Sequence, residues 1–430
     1  MAEQISETVK IAQDLIRFDT SNRGGGDSNP EEPAAIYVAD YMKTLGLEPV
    51  FVESAPGRVS VFARVKGENP DLPALVLHGH LDVVPADASE WSVDPFAGII
   101  KDGLLWGRGA VDMKNMNAMI LTAMAEIIRS DQKPKRDIIL GFFADEEDGG
   151  AYGSRYVVDN HPEIFAGAST AISEVGGYSV YFGSERAYVI QTGEKALDWI
   201  NLKAKGRAQH GSSIPEDNPI VKLGQAVSAL GQHEWPVTLC STTTELLKRI
   251  AELTGEHDLD PRALMALAGN GSGFLQSSIT TTANPTLLSA GLKHNVIPGS
   301  ANASVDIRSL PSERDSVLET VQRLIGPDIE IESFHSDIGL EVPFEGELVE
   351  TMIASLHQED PDAHVLPYLL SGGTDNKALS RLGIAGFGFA PLKLPPELDF
   401  PGMFHGVDER VPLDALDFGH RVLVHLIKNY

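Results

Sequence analysis

Short apolar runs that each stop at a charged group most constrain how this chain can fold. Ala74 to Leu77 leads into HGHLD, Ile138 to Phe143 leads into ADEEDGG, and STAIS leads into Glu174. Runs of this length, with helical patterns such as NMNAMILTAMAEIIRS between them, read as buried strands. Strands alternating with helices build a doubly wound α/β layer, whose ligands sit in a crevice beyond the C-terminal strand ends. His80, Asp82, Glu146, Glu147 and Glu174 are therefore expected along one edge.

The pattern changes twice. From about Glu194, DWINLKAKGRAQHGSS reads as a strand with period-two alternation that runs into a polar loop, followed by the helix PIVKLGQAVSAL. TTANPTLLSAGLKHNVIPGSANASVDIRSL reads as a strand pair turning at Ile297 to Gly299, then the helix SERDSVLETVQRLI and the strand IEIESF. From about Val342 the α/β rhythm resumes. The expected fold is a doubly wound, mixed-sheet domain made of residues 1–193 and 342–430, into which residues 194–341 are inserted. The insert is a smaller α+β unit, an antiparallel sheet plus two helices. Within it, Trp235 to Phe274 reads as polar and helical, with no assignable role.

Lys and Arg number 34 against 61 Asp and Glu, a formal charge of -27, which opposes binding to nucleic acid or to an anionic membrane surface. The single cysteine, Cys240, excludes an intramolecular disulfide and a thiolate metal cluster, and favours a reducing compartment. The opening MAEQISETVKIAQDLIRFDT is amphipathic, with Ile5, Val9, Ala12 and Ile16 on one stripe, and lacks the basic start and apolar centre of a signal peptide. A cytoplasmic protein is the expectation. Ser28 or Asn29, before Pro30, reads as the start signal of the next helix, AAIYVADYMKTLGL.

Two further groups join the strand-end residues. Gly107 and Gly109 let the backbone turn before Asp112 at the mouth of a helix, and a proline-flanked loop carries His405 and Asp408. His80, Asp112, Glu147, Glu174 and His405 then supply the count that two divalent ions need: one bridging carboxylate, about two more ligands each, and room for water.

The chain resembles a known family, the two-zinc exopeptidases and amidohydrolases that include aminoacylase, succinyl-diaminopimelate desuccinylase, glutamate carboxypeptidase and carboxypeptidase S. HGHLDVVP, WSVDPF, GRGAVDMK, FFADEEDGG, ISEVGG, GRAQHGSS, NVIPG with VDIR, SGGTDNK and FHGVDER carry the likeness, and the tail from Gly373 to Arg410 is most similar to the aminoacylase and carboxypeptidase S branch. The resemblance implies that Asp112 bridges the ions, His80 and Glu174 completing one site and Glu147 and His405 the other. It further implies Glu146 as general base, Asp82 orienting His80, and a cis peptide from Asp112 to Met113. The metals would be Zn2+, with Co2+ or Mn2+ as alternatives.

The chemistry that follows is amide hydrolysis. A water held between two Lewis acids is acidified, and Glu146 can take its proton and pass it to the leaving amine. The resemblance makes His210 the oxyanion donor, supplied by a partner subunit, and so implies a homodimer through the inserted lid and dimerisation domain. Asn295 and Arg308 match positions that hold the substrate's carboxylate and carbonyl region. Gly372 and Gly373 would admit backbone amides to the same carboxylate. Lys377 stands where many relatives have Arg, which leaves its substrate contact open. His78 reads as a hydrogen-bonded core residue and Arg108 as the partner of nearby carboxylates.

The leading reading is a metal-dependent hydrolase of a small N-acyl amino acid or dipeptide with a free carboxylate. The alternatives are a carboxypeptidase, an N-succinyl-amino-acid desuccinylase, and a non-catalytic homologue that binds metal or amino-acid derivatives. A dimetal phosphatase fits less well, because the crevice motifs offer little positive charge beyond Arg308.

Overall fold

In the computed structural model, which describes residues 5–430, the strands Ala74–His80 and Ile138–Phe143 pair in parallel at the centre of a ten-stranded mixed sheet. Their alternate residues divide between two cores. Leu75, Leu77, Ile138, Leu140 and Phe142 enter one, while Ala74, Val76, Ile139 and Phe143 enter the other. A strand covered on both faces needs apolar side chains at every position, which explains the unbroken runs. Ala168–Ser173 pairs in parallel on the other side of Ala74–His80, and Ala385–Gly388 lies parallel beyond it. The antiparallel pair Val50–Ala55 and Arg58–Val65 flanks the sheet on one side, and Glu185–Glu194, paired with His364–Leu370, extends the other.

Helix Lys114–Arg129 is buried along nearly its whole length, packed between the strand Ala74–His80 and the helices Glu7–Ile16 and Leu413–Asn429. Ser6 caps Glu7–Ile16 by accepting a 3.2 Å hydrogen bond from Val9 N, and Val9, Ala12 and Ile16 face the core. Met1 to Gln4 of the amphipathic pattern lie outside the described residues. The next helix, Glu32–Thr44, starts later than its sequence signal. Pro33 occupies its first turn, no side chain caps it, and the Ser28 hydroxyl instead bonds Asn22 Oδ1 at 2.7 Å. Among the described residues no helix is long and apolar enough to cross a membrane.

A second sheet, of four antiparallel strands, runs in the order Thr282–Ala290, Ser300–Ser309, Ala196–Lys205, Ile329–Asp337. Ile200, Leu202, Val305 and Ile307 pack on its inner face with Leu223 and Leu230 of helix Pro219–Gly231 and Val317 and Val321 of helix Arg314–Ile325. The opposite face carries Leu197, Trp199 and Arg308, which reach the crevice of the first sheet. The turn expected at Ile297 to Gly299 is longer than its sequence signal. Ala290 already pairs with Ala301, and within the connection between them Val296–Ile297 pairs with Gln209–His210 to form a separate small hairpin.

The segment read as polar has a buried apolar face. In helix Ser241–Thr254, Leu246, Leu247 and Ile250 form a stripe, and Leu264, Met265, Leu275 and Ile279 continue it. All seven join the main core beneath the large sheet rather than the core of the small one. A stripe this narrow, flanked by Thr and Lys, is hard to distinguish from a solvated helix by composition alone.

Candidate metal centre

The three parallel strands release their C-terminal residues at one edge. His80 ends the first, Asp145 to Glu147 follow the second, and Glu174 follows the third. Asp145 adopts a left-handed conformation (φ 64°), which breaks the strand sharply so that both Glu146 and Glu147 reach the crevice. The break is held from below. Asp82 accepts hydrogen bonds from the backbone N–H of Glu146 and of Glu147, both at 3.1 Å, and from Asn22 Nδ2 at 2.9 Å. Asn22 also bonds Asp145, as does Arg58, which is paired in turn with the fully buried Glu31 at 3.0 Å.

Asp112 stands at the centre. His80 Nε2 lies 3.0 Å from its Oδ1, and His405 Nε2 lies 3.3 Å from its Oδ2. Each histidine brings a second carboxylate: Glu174 Oε2 is 3.5 Å from His80 Nε2, and Glu147 Oε2 is 3.1 Å from His405 Nε2. The two oxygens of one carboxylate therefore face two separate donor sets. His80 Nδ1 meets the Asp82 carbonyl oxygen at 2.9 Å and its carboxylate at 3.5 Å. Such a contact holds the Nδ1 proton and makes Nε2, which meets Asp112 and Glu174, the ring atom available to an ion. His80, Glu146 and Glu174, and separately His80, Asp112 and Glu147, have donor atoms close enough to share an ion.

The loop bearing His405 is fastened on both sides. Asp408 accepts hydrogen bonds from Ser92 N and Oγ at 2.7 and 2.6 Å, tying the loop to WSVDPF. Glu409 pairs with Arg108 and accepts from Gly109 N at 2.7 Å and Val111 N at 3.3 Å, tying it to the turn before Asp112. Gly109 has φ 89°, and a Cβ there would stand 2.9 Å from Lys114 Cδ, so this turn requires glycine. The peptide from Asp112 to Met113 is cis.

Electrostatics separate the carboxyls. Burial, then the neighbouring Glu174 charge, push Glu146 well above the usual carboxylate range. Burial, then Asp112, do the same to Glu174. For Asp112 burial acts upwards too, but hydrogen bonds from His405 and His80 outweigh it and hold the group well below its ordinary value. Hydrogen bonds to Asp112 and Glu147 raise His405 to about 11. The donor set is rich in negative charge, and the cations it contains are the two imidazoles. Oxygen and imidazole donors of this kind suit divalent ions such as Zn2+, Co2+ and Mn2+.

The crevice forms a cavity of about 280 Å³ lined by Asp112, Glu146, Glu147, Glu174 and His405. Gly372, Gly373, Arg308 and Lys377 also line it. Arg308 is already engaged, donating from Nε and Nη2 to Asp306 at 2.7 and 3.1 Å. Lys377 is buried, donates to the Lys195 carbonyl at 2.7 Å and has no carboxylate within ion-pair distance among the described residues. His210 and Asn295 are not among the lining residues. Both are exposed on the small hairpin, where Gly211 N donates to Asn295 O at 2.7 Å. His78 is fully buried, with Nε2 2.9 Å from Asn376 Oδ1, and burial lowers its pKa to about 4. Asn22, Arg58, Glu31 and the lining residue Asp375 went unnoticed in the sequence. Asp375 alone had a signal, its place in SGGTDNK.

Comparison with known proteins agrees with this arrangement. The model of peptidase family M20/M25/M40 matches residues 76–429. The chain is 28% identical to the N-fatty-acyl-amino acid synthase/hydrolase PM20D1 of Xenopus tropicalis, over 87% of this chain and 75% of the relative. It is 25% identical to human aminoacylase-1, over 95% and 91%. In fold it is similar to the M20 family metallo-carboxypeptidase Sso-CP2 of Sulfolobus solfataricus, with a TM-score of 0.78 at 19% identity and 99% coverage of both chains. The family match spans most of the chain, and the strand-edge cluster falls within it: this chain belongs to peptidase family M20/M25/M40 and is a metal-dependent amide hydrolase.

Proposed function

We propose that the crevice holds two divalent ions, Zn2+ in the native protein, and hydrolyses small N-acyl amino acids or dipeptides that carry a free carboxylate. The observation that carries this reading is the split of Asp112, with Oδ1 toward His80 and Oδ2 toward His405. His80 and Glu174 would complete one site, Glu147 and His405 the other. Bound ions would polarise the amide carbonyl and acidify an attacking water.

The protein's own groups do the rest. Glu146 is half-buried at the cavity wall beside Glu147 and Glu174, placed so that its carboxylate can take a proton from the attacking water and deliver it to the leaving amine. Asp82 holds both the Glu146–Glu147 turn and the His80 ring, coupling the position of the base to that of a ligand. The substrate carboxylate would lie against Lys377, Gly372 and Gly373, with the Arg308 charge close enough to act on Lys377. An N-acyl amino acid agrees with the substrate in the name of one relative, the N-fatty-acyl-amino acid synthase/hydrolase PM20D1.

His210 would supply the oxyanion donor, and Asn295 a substrate contact, from a second copy of the chain. Their exposure on a hairpin outside the cavity supports that reading. So does the strand Thr282–Ala290, an unpaired sheet edge that exposes Leu287 and Leu288 by 69% and 67%. The single cysteine supports a cytoplasmic setting.

A hydrolysis panel of N-acetyl amino acids, dipeptides and N-succinyl amino acids, with and without chelator, tests the function. Chelator-sensitive release from N-acyl amino acids or dipeptides is the expected result. Release from the N-succinyl set alone would make the protein a desuccinylase. Silence across the panel with two metals bound would leave a binding protein.

A further inference from the structure

We propose that the cavity contains an apolar subsite, walled by Phe274 and Phe404, that takes a bulky apolar group of the substrate; this rests on the amidohydrolase reading above. The wall starts at the candidate ligands themselves. Phe404 directly precedes His405 and Val175 directly follows Glu174, and both line the cavity. Phe274 stands beyond them, its ring near-parallel to that of Phe404 at 6.3 Å between centroids and 13° between planes. Leu197 and Trp199 line the same cavity from the small sheet.

Phe274 is held from behind. It stacks on the fully buried Tyr368 at 4.8 Å and 23°, and lies 6.3 Å from Tyr178, which packs on Phe400 at 5.2 Å. The contact behind the wall is therefore ring on ring. The segment that brings Phe274 here is the one whose sequence gave no role. Its helix Ser241–Thr254 packs on the strand His364–Leu370, and Ser277 Oγ meets Ser371 Oγ at 2.6 Å beside Gly372 and Gly373. The segment thus joins the aromatic wall to the glycines and Lys377 that would face the carboxylate. A cavity lined by both the Lys377 ammonium and an aromatic wall selects a substrate with a charged group and an apolar one.

Preorganised aromatic surface discriminates by size and polarity, and a larger apolar group gains about tenfold or more in kcat/KM over a methyl-sized one. The test uses the full metal-loaded protein and two substrate series. One keeps the acetyl group and varies the amino acid through Ala, Glu, Leu and Phe. The other keeps glycine and varies the acyl group through acetyl, succinyl, hexanoyl and benzoyl. In at least one series the apolar members are expected to lead the small and charged ones by about tenfold or more, and that series identifies which side of the amide occupies the wall. Phe274→Ala is expected to lower this selectivity ratio by about tenfold, chiefly through KM, with metal content unchanged. Phe274→Leu, which keeps an apolar contact on Tyr368, is expected to fall between, and keeps the test open if the alanine variant does not fold. Hydrolysis in both series with no apolar preference, or an equal loss on all substrates in Phe274→Leu, would overturn the subsite while leaving the hydrolase intact. No hydrolysis of any amide would instead overturn the underlying function.

Discussion

The two ends of the strand Ile138–Phe143 carry the same chemistry in opposite states. At its start Asp137 is met by Arg64 at 3.0 Å, Lys66 at 2.8 Å and the backbone N–H of Gly67 at 3.0 Å. These outweigh its burial and bring its pKa down to about 2. At the far end Glu146 and Glu147 sit with Glu174 and Asp112, and burial with mutual repulsion raises Glu146, Glu147 and Glu174. The first carboxylate completes a stable fold. The second group is negative charge collected beyond what its histidines neutralise, a configuration that costs stability until cations bind. Where acids at one sheet edge are matched and at the other are not, the unmatched edge marks the function.

The largest effect should come from the unmatched edge. Glu146→Gln removes the proposed base and one repelling charge, so turnover should fall by about 10²–10⁴-fold while the metal-free protein melts higher. Turnover near that of the parent protein would remove Glu146 from the mechanism and break the contrast at its centre. Next comes the exposed hairpin, the part of the proposed site that one chain does not bring to the cavity. His210→Ala should lower turnover about 10²–10³-fold with metal content unchanged. Mixing it with Glu146→Gln under subunit exchange should restore activity, because one site of each mixed dimer regains both groups. No recovery would sink the contribution in trans.

A smaller loss is expected at Asp82, which lies beneath the unmatched edge without belonging to it. Asp82→Asn keeps Oδ1 for the Glu146 amide but sets an NH2 donor where Oδ2 accepts from Glu147 N and Asn22 Nδ2, and should lower metal affinity about 10–100-fold by titration. The smallest effect belongs to the matched edge. The folded pKa of Asp137 lies below its unfolded value near 3.8, so its contribution to stability is complete above that value and is lost as pH falls through about 2. After solvent screening this amounts to about 1 kcal/mol. Asp137→Asn should lose about that much at neutral pH, flatten the stability profile between those limits and leave kcat/KM unchanged. Impaired catalysis in this variant would show that the two edges are coupled.

Much of the central architecture could be read in advance because it is local. A fully apolar run predicts a strand covered on both faces, and a charged residue after it predicts what lies at the strand end. His80, Glu146, Glu147 and Glu174 meet for that reason, and Asp112 and His405 join them through glycine turns and anchored loops. The helix start near Ser28, the turn at Ile297 and the place of Trp235 to Phe274 do not follow from local pattern. In each case a distant partner decides: Asn22 takes the Ser28 hydroxyl, Gln209–His210 captures Val296–Ile297, and the large sheet's core buries Leu246 and Ile250.

By itself the sequence determined which strands are buried, which acids and histidines stand at their ends, and that no thiolate takes part, since each follows from residue type and local order. Only the tertiary structure decided that the oxygens of Asp112 divide between two histidines, that Arg58 and Asn22 hold Asp145 and Asp82 behind the Glu146–Glu147 turn, and that Phe274 stands against Phe404 beside His405. Those contacts join segments far apart in the chain, and their geometry comes from how whole layers pack rather than from any pattern within a segment.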